Sequence, residues 1–318
     1  MSENIPCIIC KKQANIVYEN MEGYMQGMNF TIYNCTTCNT SFASPHIVDE
    51  KLYDYIYSQP NITPGYNRYF HYAKEIKKQS DPLSYLSTKE GAYFAIKEIL
   101  NESNKNSLRI LEVGSGLGYL TYSIHQKGYN ITGLDISSDA VANSQEKFGD
   151  YYICKDLFQY ALENHTTFDL VILTDVIEHI PDPSTFCDAL INLLKKGGKI
   201  VITTPNKSAF SINYNWETEL PPIHLTWFSE ESFKILANEK NLLISFFDFT
   251  DFNKNHWDIT RFKFYNKFYN IKKRLPVLNE LGKVISPVSL KENNGFIQKL
   301  KSAIKTLIKP ILIRILTD

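Results

Sequence analysis

The sequence lacks any apolar run long enough to cross a membrane as a helix. Its 318 residues contain only short apolar runs, such as residues 170–173, and no stretch of 18. Residues 1–4 carry no basic group and lead into no apolar segment, so we expect no secretory leader and a cytoplasmic, reducing location. Gly and Pro are few, at 14 and 13, which argues against a collagen-like, low-complexity or disordered chain.

Net charge is also absent, but the two signs are separated along the chain. Residues 254–318 hold 14 Lys/Arg against 4 Asp/Glu, a net charge of +10, whereas residues 1–253 hold 20 against 30, a net charge of −10. The acidic body argues against nucleic-acid binding. The basic tail predicts contact with an anionic surface.

Four of the six cysteines form two Cys-x2-Cys pairs, with 24 residues between the pairs. The four are Cys7, Cys10, Cys35 and Cys38. Two such turns can supply the four thiolates of a tetrahedral, structural zinc site, and Lys11-Lys12 can offset the thiolate charge. Two disulfides or free thiols are the alternatives, and a reducing compartment disfavours disulfides.

From residue 108 onward, short apolar strands alternate with helical segments. The predicted strands are residues 108–113, 130–135, 151–154, 168–173, 199–204 and 242–247. This alternation predicts a doubly wound, Rossmann-like α/β sheet with helices on both faces. The chain is accordingly divided into a zinc module (1–45), a helical cap or linker (46–100), the α/β domain (101–253) and a basic amphipathic C-terminal region (254–318).

A glycine-rich turn follows the first predicted strand, where a parallel sheet binds its ligands. Its spacing is G-x-G-x-G, and Tyr119 stands where a dinucleotide-binding fingerprint has its third glycine. Asp135 ends the second strand, where a carboxylate can accept both hydroxyls of a ribose. This pattern disfavours a nicotinamide dehydrogenase and favours a nucleoside ligand without phosphates.

Four segments carry a family resemblance. They are EVGSGLG at 112–118, Asp135, FDLVILTDVIEHIPDP at 168–183 and GGKIVITTPN at 197–206. Together they resemble the class I S-adenosylmethionine-dependent methyltransferases over residues 108–248. PIHLTWFS at 222–229 is similar to a segment of one subgroup. Many members of that subgroup also carry the paired N-terminal Cys-x2-Cys module, and they commonly modify sugars of bacterial surface polysaccharides.

The resemblance implies which residues of the glycine turn hold S-adenosylmethionine. Gly114, Gly116 and Gly118 would line the methionyl and ribose end of the cofactor. Glu112 would support the turn near the amino acid moiety. Ordinary turn chemistry is the alternative for the three glycines and for Asp135.

The resemblance also assigns four residues at the ends of other strands. Asp135 would hold the ribose hydroxyls, and Asp156 would meet the adenine amino group. Thr174 or Asp175 would approach the methionyl end. For Asp156 the alternative is an N-cap of the helix that begins at Leu157.

Two histidines are placed to accept a proton from an acceptor. His179 follows the fourth strand beside Glu178, which could orient it, and His224 lies in the aromatic segment 208–228 after the fifth strand. An aromatic loop over strand ends suits a lid on a sugar. The alternatives are a Glu178-His179 pair that only fixes its turn and a His224 that only packs.

Both flanks suggest further surfaces. Residues 46–100 are helical in pattern and rich in Tyr, and would either roof the acceptor pocket or pack between helices. Residues 296–316 have apolar positions at helical spacing among Lys residues, with Pro310 as a kink. We expect this basic amphipathic helix either to contact the cytoplasmic face of an anionic inner membrane or to dock on protein.

The expected function is O-methylation of a sugar in a nucleotide- or lipid-linked surface glycan. The acceptor rests on the subgroup resemblance and on the aromatic segment. Sugar C-methylation, methylation of a small molecule or lipid, and a non-catalytic cofactor-binding subunit are the alternatives.

Overall fold

The computed structural model describes residues 5–102, 108–209, 220–256, 276–286 and 310–316. The N-terminal module is an antiparallel sheet. Its strands are β1 (Ile5–Pro6), β2 (Gln13–Glu22), β3 (Asn29–Cys35) and β4 (Ser41–Ser44). The spacer between the two cysteine pairs forms the β2–β3 hairpin, in which Ala14 pairs with Cys35. This hairpin brings the second cysteine pair back to the first.

Four helices and a short 3-10 turn over Ile76–Lys78 precede the α/β domain. The helices are α1 (Glu50–Ser58), α2 (Asn67–Glu75), α3 (Pro82–Ser87) and α4 (Gly91–Asn101). Helix α3 begins with two start signals, Pro82 at its first position and an Asp81 carboxylate that accepts the Ser84 N–H at 3.0 Å. The region therefore has the helical character that its sequence predicts.

Strands and helices then alternate through the rest of the chain. The elements are β5 (Arg109–Val113), α5 (Tyr119–Gln126), β6 (Asn130–Asp135), α6 (Ser138–Phe148), β7 (Tyr152–Cys154), α7 (Leu157–Glu163), β8 (Phe168–Thr174), α8 (Pro183–Leu193), β9 (Leu194–Pro205), β10 (Thr226–Trp227), α9 (Glu230–Glu239), β11 (Leu243–Phe246), α10 (Thr250–His256) and β12 (Pro310–Leu316). Seven of these strands form one sheet in the order β11-β12-β9-β8-β5-β6-β7. Strands β9, β8, β5, β6 and β7 are parallel, so the predicted doubly wound sheet is confirmed.

Strand β12 corrects the prediction for the end of the chain. Residues 310–316 form a strand, antiparallel to both β9 and β11, and not the end of an amphipathic helix. Pairing on both sides satisfies the backbone of this apolar segment. Residues 257–275 and 287–309, with most of the predicted basic helix, lie outside the described residues. Within the described ranges, no helix is long and apolar enough to cross a membrane.

Apolar side chains pack on both faces of the large sheet. One face packs against α8, α9 and the N-terminal module in a single cluster that includes Phe42, Phe186 and Phe233. The other face packs against the cap helices and α5, through residues such as Leu86 and Leu120. The N-terminal module thus shares a hydrophobic core with the α/β domain.

Strand β10 belongs to the small sheet, where it pairs antiparallel with β4 through Thr226 opposite Phe42. Trp227 and Phe228 are buried in the protein, so the prediction that they belong to a substrate-facing aromatic lid is wrong for these two residues. The cause is the pairing of β10 with β4, which directs these two side chains into the protein interior. The other aromatic residues of the predicted lid lie outside the described residues, namely Phe210, Tyr214 and Trp216.

Candidate functional site

The glycine turn between β5 and α5 adopts a conformation that glycine permits. Gly114, Gly116 and Gly118 have φ of +75°, +48° and +74°. A Cβ atom at Gly114 or Gly118 would lie 2.5 Å from a neighbouring side chain, but one at Gly116 would meet no heavy atom within 4 Å. The turn is therefore packed at its two ends and open at its centre.

Asp135 closes this opening on one side. Its Oδ2 accepts the Gly116 N–H at 2.6 Å and its Oδ1 accepts the Ser137 N–H at 2.9 Å. Burial raises the pKa of Asp135, and these two N–H groups act in the opposite direction. The next residue, Ile136, is 74% exposed. The Asp135 carboxylate suits the two hydroxyls of a ribose, and the exposed Ile136 beside it suits a flat apolar ring of the same ligand.

Glu112 lies beneath the turn. It is buried and accepts a hydrogen bond from the Thr121 hydroxyl. Burial raises its pKa to about 8, so the carboxyl can hold a proton near neutral pH. This position suits support of the glycine turn.

Asp156 caps helix α7, which is the alternative that the sequence left open. Its Oδ1 accepts the N–H groups of Phe158 at 2.9 Å and Gln159 at 3.2 Å. Asp156 also follows β7 at the same edge of the sheet as Asp135. A contact between Asp156 and an adenine amino group stays a prediction.

Thr174 is the last residue of strand β8, beside the glycine turn, and Asp175 follows it. Asp175 has φ of +52°, and its N–H donates to the Thr203 carbonyl at 3.0 Å. Its Oδ2 accepts a hydrogen bond of 3.0 Å from the Tyr69 hydroxyl, which is supplied by helix α2 of the cap. Burial, reinforced by the nearby Glu90 carboxylate, raises the pKa of Asp175 to about 6.

Arg68 connects this pair to a second carboxylate. Its Nη2 lies 2.5 Å from the Tyr69 hydroxyl and its Nε donates to Glu90 Oε1 at 2.9 Å. Glu90 Oε1 also accepts the Tyr72 hydroxyl at 2.9 Å. No sequence motif predicts this network, because Glu90 and Asp175 lie far along the chain from the α2 residues that they contact.

The segment after β8 brings the two candidate histidines together. His179 and His224 have ring centroids 4.8 Å apart and nearly perpendicular planes. Ligand atoms of Glu178, His179 and His224 all lie within 4.8 Å of one another, close enough to share a proton or one metal ion. Three residues that the sequence placed on two separate segments therefore form one cluster.

The tautomer of His179 follows from its surroundings. Its Nδ1 lies 2.5 Å from the Ile223 carbonyl oxygen, which can only accept, so Nδ1 carries the proton in the neutral ring. The Tyr53 hydroxyl lies 3.3 Å from the same nitrogen. Burial lowers the pKa of His179, while the carbonyls of Ile223 and Asp175 act in the opposite direction. The neutral ring therefore has its lone pair on Nε2.

The four paired cysteines also form one cluster. The Sγ atoms of Cys7 and Cys38 are 3.5 Å apart, those of Cys10 and Cys35 are 3.4 Å apart, and all four lie within 4.8 Å of one another. These separations exceed the roughly 2.05 Å of a disulfide. They approach the edge of about 3.8 Å that a tetrahedron with Zn–S bonds of about 2.3 Å would have. All four thiols are free in this structure.

Comparison with known proteins supports a methyltransferase domain in this chain. The methyltransferase domain family model matches residues 85–244, half of the chain. The chain is 30% identical over 135 residues to the ubiquinone biosynthesis O-methyltransferase of Colwellia psychrerythraea, covering 41% of this chain and 55% of that protein. It is 33% identical over 113 residues to the mitochondrial enzyme of that name from Homo sapiens, covering 33% and 30%.

Among solved structures, a SAM-dependent methyltransferase from Archaeoglobus fulgidus is 18% identical with a TM-score of 0.44, covering 78% of this chain and 98% of that one. The chain spans about half the length of the first curated relatives that it matches. The chain belongs to the methyltransferase domain family. Over residues 85–244 this membership confirms the predicted class of the domain, that of the methyltransferases.

Proposed function

We propose that the protein methylates an oxygen atom of an acceptor bound between the helical cap and the carboxyl ends of β5, β6 and β8. One observation carries this proposal: the glycine turn is open at Gly116, beside the Asp135 carboxylate. The candidate base His179 follows β8 at the same edge of the sheet. Cofactor and acceptor would therefore meet at one edge.

The residues at this edge fit S-adenosylmethionine. Asp135 would accept the ribose hydroxyls, and the exposed Ile136 would lie against the adenine ring. Backbone at Gly116 would lie close to the ligand because no side chain intervenes. When bound, the cofactor supplies a methyl group that is already activated on a positively charged sulfur.

The chain would then align the acceptor hydroxyl and remove its proton. Nε2 of neutral His179 would take that proton as the oxygen gains the methyl group, giving an ether and an imidazolium. The Ile223 carbonyl holds the ring by Nδ1, and the adjacent Glu178 carboxylate would favour the charged ring. His224 packs edge-on and would restrict the rotation of His179.

We propose a sugar hydroxyl as the acceptor, in a nucleotide- or lipid-linked glycan. The tyrosines of the cap support it. Tyr57, Tyr66, Tyr69 and Tyr72 make successive edge-to-face contacts from α1 to α2, and the Tyr69 hydroxyl reaches Asp175 at the site. Tyr57 is 41% exposed and Tyr66 and Tyr69 are half-buried, so these three rings can offer apolar faces to a sugar, whereas Tyr72 is buried behind them.

The second candidate acceptor is an intermediate of ubiquinone biosynthesis. It is favoured by the names of the curated relatives, which also describe transfer to oxygen. The two acceptors are distinguished by supplying labelled cofactor with either a nucleotide-sugar and glycolipid extract or a quinone-precursor extract. Mass spectrometry then locates the label, with His179→Ala as the inactive control. Label on a sugar oxygen supports the proposal, whereas label on a carbon or on a quinone precursor contradicts it.

We further propose that the cysteine cluster holds one structural zinc ion. Four sulfur ligands fill a tetrahedral site, which leaves no position for a substrate. The Ile9 N–H points at Cys7 Sγ at 3.4 Å, as expected for a thiolate acceptor. Elemental analysis should find about one zinc per chain. Metal-free protein of unchanged stability would contradict this assignment.

A further inference from the structure

Lys207 is a buried lysine two residues after the end of β9. The residue is 3% exposed, and its Nζ donates to Asn34 Oδ1 at 2.7 Å, to the Asn39 carbonyl at 2.9 Å and to Asn39 Oδ1 at 2.5 Å. Three acceptors match the three protons of an ammonium group. All three are neutral amide oxygens, so the hydrogen bonds are satisfied while the charge is not neutralised.

Two groups near Lys207 that can carry negative charge are the thiols of Cys35 and Cys38, the sequence neighbours of Asn34 and Asn39. Among the described residues, none of the ion pairs within 4.0 Å includes Lys207. A buried ammonium without a counter-charge is costly. Burial lowers the pKa of Lys207 to about 8, and Cys38 and Cys35 act in the opposite direction. The cysteine cluster is thus the electrostatic partner that the fold provides.

We propose that Lys207 is the counter-charge of the cysteine metal centre and fixes that centre to the α/β domain. Four thiolates around a divalent ion carry a net charge of −2, and one buried ammonium halves it. Asn34 and Asn39 flank Cys35 and Cys38 in sequence, so the ammonium forms hydrogen bonds on both sides of the second cysteine turn. This inference rests on the proposed metal centre.

The lysines beside the first cysteine pair are less suited to this role. Lys11 and Lys12 are exposed, and the Lys11 ammonium donates to the Ile8 carbonyl at 2.9 Å. Solvent and salt screen an exposed charge far more than a buried one. The proposal therefore assigns the counter-charge to the buried Lys207 rather than to Lys11 or Lys12.

Lys207 also connects the centre to the segment that carries His224. The Lys207 N–H donates to the Phe228 carbonyl at 2.8 Å, and the Ser229 hydroxyl donates to the Cys38 carbonyl at 2.5 Å. His224 lies four residues before Phe228 on the same segment, which pairs with β4. The metal centre would thereby hold the position of the histidine cluster without contacting substrate.

The test compares Lys207→Met with Lys240→Met, which removes a lysine paired with Asp188 at 2.7 Å on α8. Zinc affinity of each full-length protein is measured by competition with a chromophoric chelator. Cobalt substitution reports the geometry of the four sulfurs through its thiolate charge-transfer bands. We expect Lys207→Met to lower zinc affinity roughly 10- to 100-fold, which is the usual effect of removing a residue that supports metal ligands. Lys240→Met should match wild type.

A different result is expected if the hydrogen bonds of Lys207 only hold the N-terminal module on the α/β domain and its charge does not act on the metal. Lys207→Met would then lower the melting temperatures of the zinc-bound and zinc-free proteins equally and leave zinc affinity unchanged, which would overturn the proposal. If Lys207→Met fails to fold, Asn39→Asp is the second variant, because it places a carboxylate beside the Lys207 ammonium. This carboxylate would neutralise the ammonium and should weaken zinc binding. Unchanged zinc affinity in Asn39→Asp would also overturn the proposal. Wild-type protein that binds no zinc would instead refute the metal centre itself.

Discussion

The Tyr69 hydroxyl donates a hydrogen bond of 3.0 Å to the carboxylate of Asp175, and this contact joins the helical cap to the end of β8. The two residues are 106 positions apart. Arg68 lies against the same hydroxyl and fixes it from the other side. The cap is thereby held over the proposed cofactor site by a buried polar network.

Replacing Tyr69 with Phe should weaken binding of S-adenosylhomocysteine about fivefold, corresponding to about 1 kcal/mol for one hydrogen bond. The matched control is Tyr85→Phe on α3, whose ring contacts the Lys89 ammonium away from the site. Calorimetry measures both affinities. Equal binding by the two variants would show that the cap contact does not support the cofactor site.

His179→Ala should lower turnover by roughly 10²- to 10⁴-fold with nearly unchanged affinity for S-adenosylhomocysteine, because a general base acts on the acceptor. The control is His165→Ala, an exposed histidine before β8. Full turnover by His179→Ala and by His224→Ala would mean that alignment alone, or another residue, accounts for the reaction.

The pH dependence follows from the direction of the His179 pKa. Burial lowers it from 6.5, and only the neutral ring accepts a proton, so turnover should rise with pH through a midpoint below 6.5 and stay level at neutral pH. Burial and the Glu90 carboxylate raise the pKa of Asp175 to about 6, so this carboxyl would change charge over the same pH range. Because His179 is assigned as the group that produces the acid limb, the Asp175→Asn variant should keep that limb. Loss of the acid limb in this variant would assign it to Asp175 instead.

Two glycines with similar strain distinguish cofactor binding from folding. Gly116 and Gly128 both have positive φ, and a Cβ on either would meet no heavy atom within 4 Å. Replacing each with Ala should destabilise the protein by a similar amount, about 1 kcal/mol. Only Gly116→Ala should weaken binding of S-adenosylhomocysteine. Equal losses of affinity in both variants would place the cofactor elsewhere.

Much of the fold and of the cofactor site follows from local sequence pattern. Gly116 and Asp135 are predictable because adjacent parallel strands, β5 and β6, end at one edge. Contacts between side chains that are far apart in the sequence are not predictable in this way. Lys207 meets Asn34 across 173 positions, and no spacing rule relates them. Strand β12 is defined by pairing with β9 and β11, whereas its isolated sequence is equally compatible with a helix.

Strand β12 determines which variant can test the membrane contact that we expect of the basic C-terminal region. A chain ending at residue 295 would lose β12 from the large sheet and should unfold, so truncation is uninformative. Replacing Lys299, Lys301, Lys305 and Lys309 with Gln removes four positive charges and keeps β12. We expect wild type to co-sediment with anionic vesicles at low salt and less at high salt, and this variant to remain in solution. Equal sedimentation would exclude these lysines as the contact.

Binding of S-adenosylhomocysteine, measured by calorimetry beside NAD on the same full-length protein, tests the central claim most directly. The account predicts binding of S-adenosylhomocysteine at one site per chain, strongly reduced by Gly116→Ala, with no binding of NAD. Tight binding of NAD together with no binding of S-adenosylhomocysteine would contradict it.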